Sequence, residues 1–226
     1  MKRYLYLLLI ITACGSPPTG KQILKKSIQF HDPSNQWNKL QQNISLRSDF
    51  VYPDSALNGL IIGLDNLNKK VNYTNVTLAQ QVEFTDSTCL VIEGDKTCEQ
   101  IAWTKNFYHF ILGLPMTLIN EEGIIDDFVV ETSFYDTLSY RVRVDFEKEK
   151  WHFYFSQFDY RLIGFAFNKN FESKSEEVKI GGLEKVGEMK LPKIRSWWIT
   201  TDSLAPIYSG TDEIKGSTKW LKNEEA

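Results

Sequence analysis

From about residue 41 to residue 200 the chain repeats one device, a short run of alternating apolar and polar residues followed by a tight polar turn. Side chains along a strand point to opposite faces with period two, so the device writes strands that bury one face and wet the other. Val142, Val144 and Phe146 alternate in this way with Arg141, Arg143 and Asp145. In Trp151-His152-Phe153-Tyr154-Phe155 and Phe165-Ala166-Phe167 both faces carry apolar or aromatic groups. That part of the sheet needs cover on both sides, or a ligand on one. Connections as short as Glu147-Lys148-Glu149-Lys150 imply antiparallel neighbours. Strands are expected over residues 44–50, 57–64, 69–74, 78–84, 89–92 and 97–103, then over 125–134, 139–146, 151–156, 161–168, 176–182, 187–191 and 193–200. Six Trp, ten Tyr and fourteen Phe in 226 residues agree with a mainly β body, because aromatic rings fit the pleated surface best.

Two short helices interrupt this pattern. Thr19, with Gln22 three residues later, forms a capping box that opens a helix over residues 21–31. At about 100° per residue, Phe30, Ile23, Ser27, His31, Leu24 and Ile28 share one face, and Gln22, Lys25, Lys26 and Gln29 the other. This amphipathic helix lies on something apolar and stops at Asp32-Pro33-Ser34-Asn35. A second helix is expected over residues 105–112, capped by Thr104 and ended by Gly113 and Pro115. Phe107, Phe110, Ile111 and Leu114 give it an oily side, and so short an element is stable only when docked.

The first fourteen residues read as an address and an anchor. Lys2 and Arg3 precede an apolar run from Tyr4 to Ile11, and Ile11-Thr12-Ala13-Cys14 places small residues before a cysteine. The run is about half of the ~20 residues a membrane-spanning helix needs, which favours a cleaved bacterial lipoprotein signal. Residues 1–13 would be removed, Cys14 would be acylated, and residues 14–20 would form a lipidated tether. Each buried CH₂ contributes roughly 0.8 kcal/mol, so several acyl chains hold the protein stably at a membrane. The tether lacks an acidic run, which favours a membrane face turned to the periplasm. Residues 21–215 then make one domain, followed by a polar tail over 216–226.

Loss of Lys2 and Arg3 makes the formal charge of −3 more negative by two units. With no basic stripe evident, nucleic acid is excluded as a partner. Cys89 and Cys98 remain as a pair within a strand, turn, strand pattern. A two-residue turn at Glu93-Gly94 would set them opposite each other as a non-hydrogen-bonded pair, with Cα atoms about 4.5 Å apart, and a disulfide is expected. A turn at Gly94-Asp95 would misalign them and leave two free thiols.

Enzyme chemistry finds little support. His31, His109 and His152 match no metal-binding or nucleophile spacing, and no metal or cofactor is expected. His31 is followed by Asp32, which could orient an imidazole, although its place on the apolar stripe favours a satisfied core histidine. Asp126 and Asp127 point to opposite strand faces and cannot flank one bond. Gly181-Gly182 reads as a turn or bulge, not a phosphate cradle.

Several segments resemble a known family. Gly20 through Ile28 with His31-Asp32, then Phe107-Tyr108-His109-Phe110-Ile111-Leu112-Gly113-Leu114-Pro115-Met116, then Trp151-His152-Phe153-Tyr154-Phe155 and Lys190-Leu191-Pro192-Lys193-Ile194-Arg195, resemble uncharacterised lipoproteins of Bacteroidetes-type bacteria. Those are distantly similar to the LolA and LolB type of lipoprotein carriers and receptors. The likeness implies a curved antiparallel sheet forming an incomplete β-barrel, an N-terminal amphipathic helix and short helices over the mouth. It also implies a concave apolar cavity able to hold acyl chains. Asp54-Ser55-Ala56, Asp86-Ser87-Thr88, Asp136-Thr137-Leu138 and Asp202-Ser203-Leu204 resemble the O-glycosylation sites of exported proteins in such bacteria.

The leading expectation is a monomeric, non-catalytic lipoprotein on the periplasmic side of the outer membrane that binds an acylated or hydrophobic ligand. Phe107, Phe110, Ile111, Leu114 and Met116 would be the gate, and Trp151, Phe153, Phe155, Phe165 and Trp198 the wall. Trp197 and Trp198 are strand neighbours, so one ring goes inward and the other outward. An interaction protein with a filled core is the alternative, and a hydrolase using His31 or His109 a weaker one.

Overall fold

The computed structural model describes residues 17–48, 58–119, 123–147, 149–169, 175–201 and 204–220. Cys14, Asp54-Ser55-Ala56 and Asp202-Ser203 lie outside the described residues. Helix α1 (Gly20–His31) is followed by five strands, β1 (Gln41–Ser48), β2 (Asn58–Asp65), β3 (Lys70–Asn75), β4 (Gln80–Phe84) and β5 (Cys89–Glu93). Helix α2 (Cys98–Leu112) leads to seven more, β6 (Ile124–Phe134), β7 (Thr137–Asp145), β8 (Glu149–Ser156), β9 (Leu162–Lys169), β10 (Ser175–Val186), β11 (Met189–Thr201) and β12 (Leu204–Lys219). All pair antiparallel in one 12-stranded sheet of order β5-β4-β3-β2-β1-β12-β11-β10-β9-β8-β7-β6. Sheets this wide curl under their own twist. This one curves without closing, because its edges β5 and β6 do not pair and α2 runs between them in the chain.

The α1 capping box is present as expected. The Gln22 amide N–H donates to Thr19 Oγ1, and the Thr19 N–H donates to Gln22 Oε1. Ile23, Leu24, Ser27 and His31 are buried against the end of the sheet, where α1 packs on β6, β7 and β11. Asp32 does not orient the His31 imidazole. Its carboxylate accepts the Gln36 and Trp37 amides at 2.7 and 2.8 Å, starting the next turn of chain.

Three expectations are corrected. Residues 97–103 are not a strand: α2 begins at Cys98, with a capping box of Thr97 and Gln100, so the helix is 15 residues long and Thr104 lies inside it. The strands expected at 176–182, 187–191 and 193–200 are two long strands, β10 and β11. Gly182, with φ of 65°, sits within β10 in unbroken register with β11, so Gly181-Gly182 is neither turn nor bulge. Beyond residue 200, β12 continues through Gly216 to Lys219 in pairing with β1, and these residues belong to the sheet, not to a tail.

Candidate functional site

The inner face of the sheet is a layer of apolar side chains in register. Val142, Phe153, Phe165, Val178 and Trp197 follow one another across β7 to β11, and Leu46 and Leu60, then Ile62, Tyr73 and Val82, continue across β1 to β4. Helix α2 lies in the resulting trough, in contact with β2, β3 and β5, and buries Ile101, Tyr108, Ile111 and Leu112. Its first residue is tied to the edge strand by the Cys89–Cys98 disulfide, with Cα atoms 6.1 Å apart. The bridge therefore forms as expected, but between a strand and a helix start instead of across a hairpin.

Most of the trough is filled by the protein itself. Phe153, Phe155 and Phe165 are fully buried, and Ile111, Leu114 and Met116 join the same core cluster. These six line no described cleft. An apolar cleft of about 240 Å³ stays open between α2 and the β7–β9 end of the sheet. Trp103, Phe107 and Phe110 form its helical wall; Phe146, Trp151 and Phe167 form its sheet wall. The rings interlock. Phe107 stacks on Trp103 at 5.1 Å, Phe110 meets Trp151 edge-on at 5.3 Å, and Trp151 stacks on Phe167 at 4.1 Å. Glu149 and Asn106 form the polar rim, and the Trp151 indole N–H donates to Glu149 at 2.8 Å.

Of the residues named from sequence, Phe107, Phe110 and Trp151 therefore meet at the cleft. Trp198 does not: Trp197 is the ring that turns inward, against Phe107 and Phe165. Trp198 packs on the opposite face beside Tyr135, at 5.5 Å. Trp103, 61% exposed at the mouth, was hidden by the strand expected over 97–103. Its signal is the i, i+4, i+7 spacing with Phe107 and Phe110.

The histidines are accounted for separately. His31 is buried, its Nε2 accepting the Leu162 amide N–H at 3.0 Å while its Nδ1 faces the Lys190 carbonyl. That pairing demands the neutral tautomer with the proton on Nδ1, and burial lowers its pKa to about 4. It pins α1 to β9 and β11 and lines none of the described clefts. His109 lines a different, polar cleft, with its Nε2 3.3 Å from the Asn66 amide oxygen. Burial and the nearby Lys105 hold its pKa below the ordinary value. Its bonded partner is an amide, not a carboxylate or a nucleophile. Among the described residues no group of three or more His, Cys, Asp and Glu side chains is placed to hold a metal.

No protein-family model matches this chain, and no curated protein does. Among solved structures, a LolA superfamily protein from Nitrosomonas europaea aligns over 91% of this chain and 95% of its own, with 13% identity and a TM-score of 0.52. A domain of an outer membrane lipoprotein-sorting protein from Vibrio parahaemolyticus aligns over 91% and 95%, with 8% identity and a TM-score of 0.48. The fold is similar to that of the Nitrosomonas europaea structure: one wide antiparallel sheet, curved but unclosed.

Proposed function

We propose that this chain is a membrane-tethered envelope protein that holds the acyl part of a hydrophobic or acylated ligand between α2 and the inner face of the sheet, without catalysing a reaction. The observation that carries the reading is the aromatic cleft, an open greasy mouth at the edge of a largely filled trough. At about 240 Å³ it falls below the ~300–1,000 Å³ of ordinary small-molecule pockets, so it takes the end of one chain as it stands. A longer chain enters as Phe107 and Phe110 swing away from Trp151. The LolA-like fold supports the reading, since such a sheet presents a concave apolar face. Cys14 supplies the acyl anchor, the periplasmic face of the outer membrane is the location, and the protein works as a monomer.

The packed interior favours a second reading, an interaction protein that uses its lipid only as a leash. Leu90, Val91 and Ile92, exposed on edge strand β5, are the surface such a protein would offer. Native mass spectrometry of the purified Cys14→Ala chain, combined with displacement of a fluorescent fatty acid, separates the two. Co-purified lipid and competition by dodecanoate are expected. A ligand-free mass with no probe binding would transfer support to the interaction reading.

A further inference from the structure

We propose that the ligand of α2 is an anionic amphiphile, whose charged head occupies a second, cationic cleft across Asn106 from the aromatic one. The proposal rests on the reading that an acyl tail lies in the aromatic cleft, and adds the class of head group.

The second cleft, of about 380 Å³, lies between α2 and the β2–β3 and β4–β5 turns. Three lysines, Lys69, Lys70 and Lys105, line it together with His109, and Asp86 is the only carboxylate in its lining. That concentration of cations is unexpected in a chain with a formal charge of −3. Lys69 is paired with Asp86 at 2.9 Å, but both side chains are exposed, and exposed pairs of this kind hold weakly enough for an incoming oxyanion to displace one member. Lys70 sits opposite Asp65 across β2 and β3, yet that carboxylate already accepts from Gln41 and twice from Asn68. Lys105 has no salt-bridge partner among the described residues. Its ammonium lies 5.1 Å from the Phe84 ring centroid, half-buried, with its pKa lowered by that burial.

The two clefts share one residue, Asn106. On α2, Trp103, Phe107 and Phe110 form one stripe and Lys105 and His109 another, and at about 100° per residue Asn106 falls on the divide. A molecule lying across Asn106 places a tail against aromatic rings and a head beside Lys70 and Lys105, whose nearby carboxylates, Asp65 and Asp86, are already engaged by Gln41 and Asn68 and by Lys69. His109, held neutral and bonded to Asn66, supplies polarity there without a further charge.

The test compares dodecyl phosphate, dodecanol and inorganic phosphate on the Cys14→Ala chain and on its Lys70→Gln and Lys105→Gln variants. Dodecyl phosphate is expected to bind roughly tenfold or more tightly than dodecanol, as charge-assisted hydrogen bonds allow. Each substitution should erase that preference and leave dodecanol binding unchanged. Equal affinity for the two amphiphiles, or a preference surviving both substitutions, overturns the head-group site while the tail cleft stands. Competition by inorganic phosphate as strong as that of dodecyl phosphate makes this a free-anion site and also overturns the proposal. Binding of neither amphiphile removes the acyl reading together with this one. If Lys105→Gln loses dodecanol binding through damage to the helix, Lys70→Gln, on β3, decides.

Discussion

Arg195 and Asp212 face each other across β11 and β12 as an ion pair with 0% and 1% of their side chains exposed. The second carboxylate oxygen accepts the Trp197 indole N–H at 2.9 Å, and Arg195 Nη1 donates to the Pro192 carbonyl at 2.9 Å. Tyr108 of α2 is buried beside this pair, and burial, reinforced by the Asp212 charge, keeps its hydroxyl protonated. Removing one partner strands a buried charge, which costs about 3–5 kcal/mol, whereas replacing both by apolar groups costs far less. Asp212→Ala should therefore lower the urea unfolding free energy by about that amount, and Arg195→Met with Asp212→Leu should recover most of it.

His31 should make stability depend on pH in a defined window. Its pKa is about 4 in the folded state against an ordinary 6.5, so the unfolded chain binds the extra proton first as pH falls. Its contribution is complete above pH 6.5, shrinks as pH drops from there toward 4, and is flat below. Between pH 7 and 5 the loss is about 2 kcal/mol. Urea melts of the wild-type chain and of His31→Asn at both values check this, and the variant should lack that share of the pH dependence.

The Cys89–Cys98 bridge fixes the N-terminal end of α2 to edge strand β5, nine residues away in sequence. Closing a loop of this length stabilises by about 2–3 kcal/mol, chiefly through the unfolded chain. Cys89→Ser with Cys98→Ser should lower stability by that much. The same change frees one end of the helix over the aromatic cleft, so stopped-flow association of a fluorescent fatty acid should become faster.

The hairpin joining β6 to β7 turns at Tyr135 and Asp136, both with positive φ, and lays Phe134 on Tyr154 with ring centroids 4.1 Å apart. The Phe134 ring covers Gly164, where an added Cβ would strike that ring and lie 2.6 Å from the Val178 carbonyl oxygen. Gly164→Ala should cost about 1–3 kcal/mol by overpacking. Thermal melts should show part of that loss restored by Phe134→Leu, since the Val178 carbonyl clash remains.

The sheet and α1 could be read from the chain because their signals are local. The Thr19 and Gln22 capping box announces α1, and the alternation of Val142 and Val144 with Arg141 and Arg143 announces β7. The start of α2 carried an equivalent signal in Thr97 and Gln100, masked by the cysteine pairing that made residues 89–98 look like a hairpin. Strand β12 gave no such signal. It is rich in Ser, Thr and Gly, and its inward Asp212 is made tolerable by Arg195 and Trp197, residues 17 and 15 positions away. The cleft was half visible: Phe107, Phe110 and Trp151 were named, but burial of Phe153, Phe155 and Phe165 depends on how far α2 sinks into the trough, which no local pattern states.

The central claim is that an acyl chain lies between α2 and the sheet, against Trp103 and Trp151. Tryptophan fluorescence during titration with brominated dodecanoate tests it directly, because bromine quenches only rings that it approaches. Saturable quenching that falls sharply in Trp103→Phe and Trp151→Phe is the expected result. Quenching no greater than that by unbrominated dodecanoate, or equally strong in both variants, would contradict it.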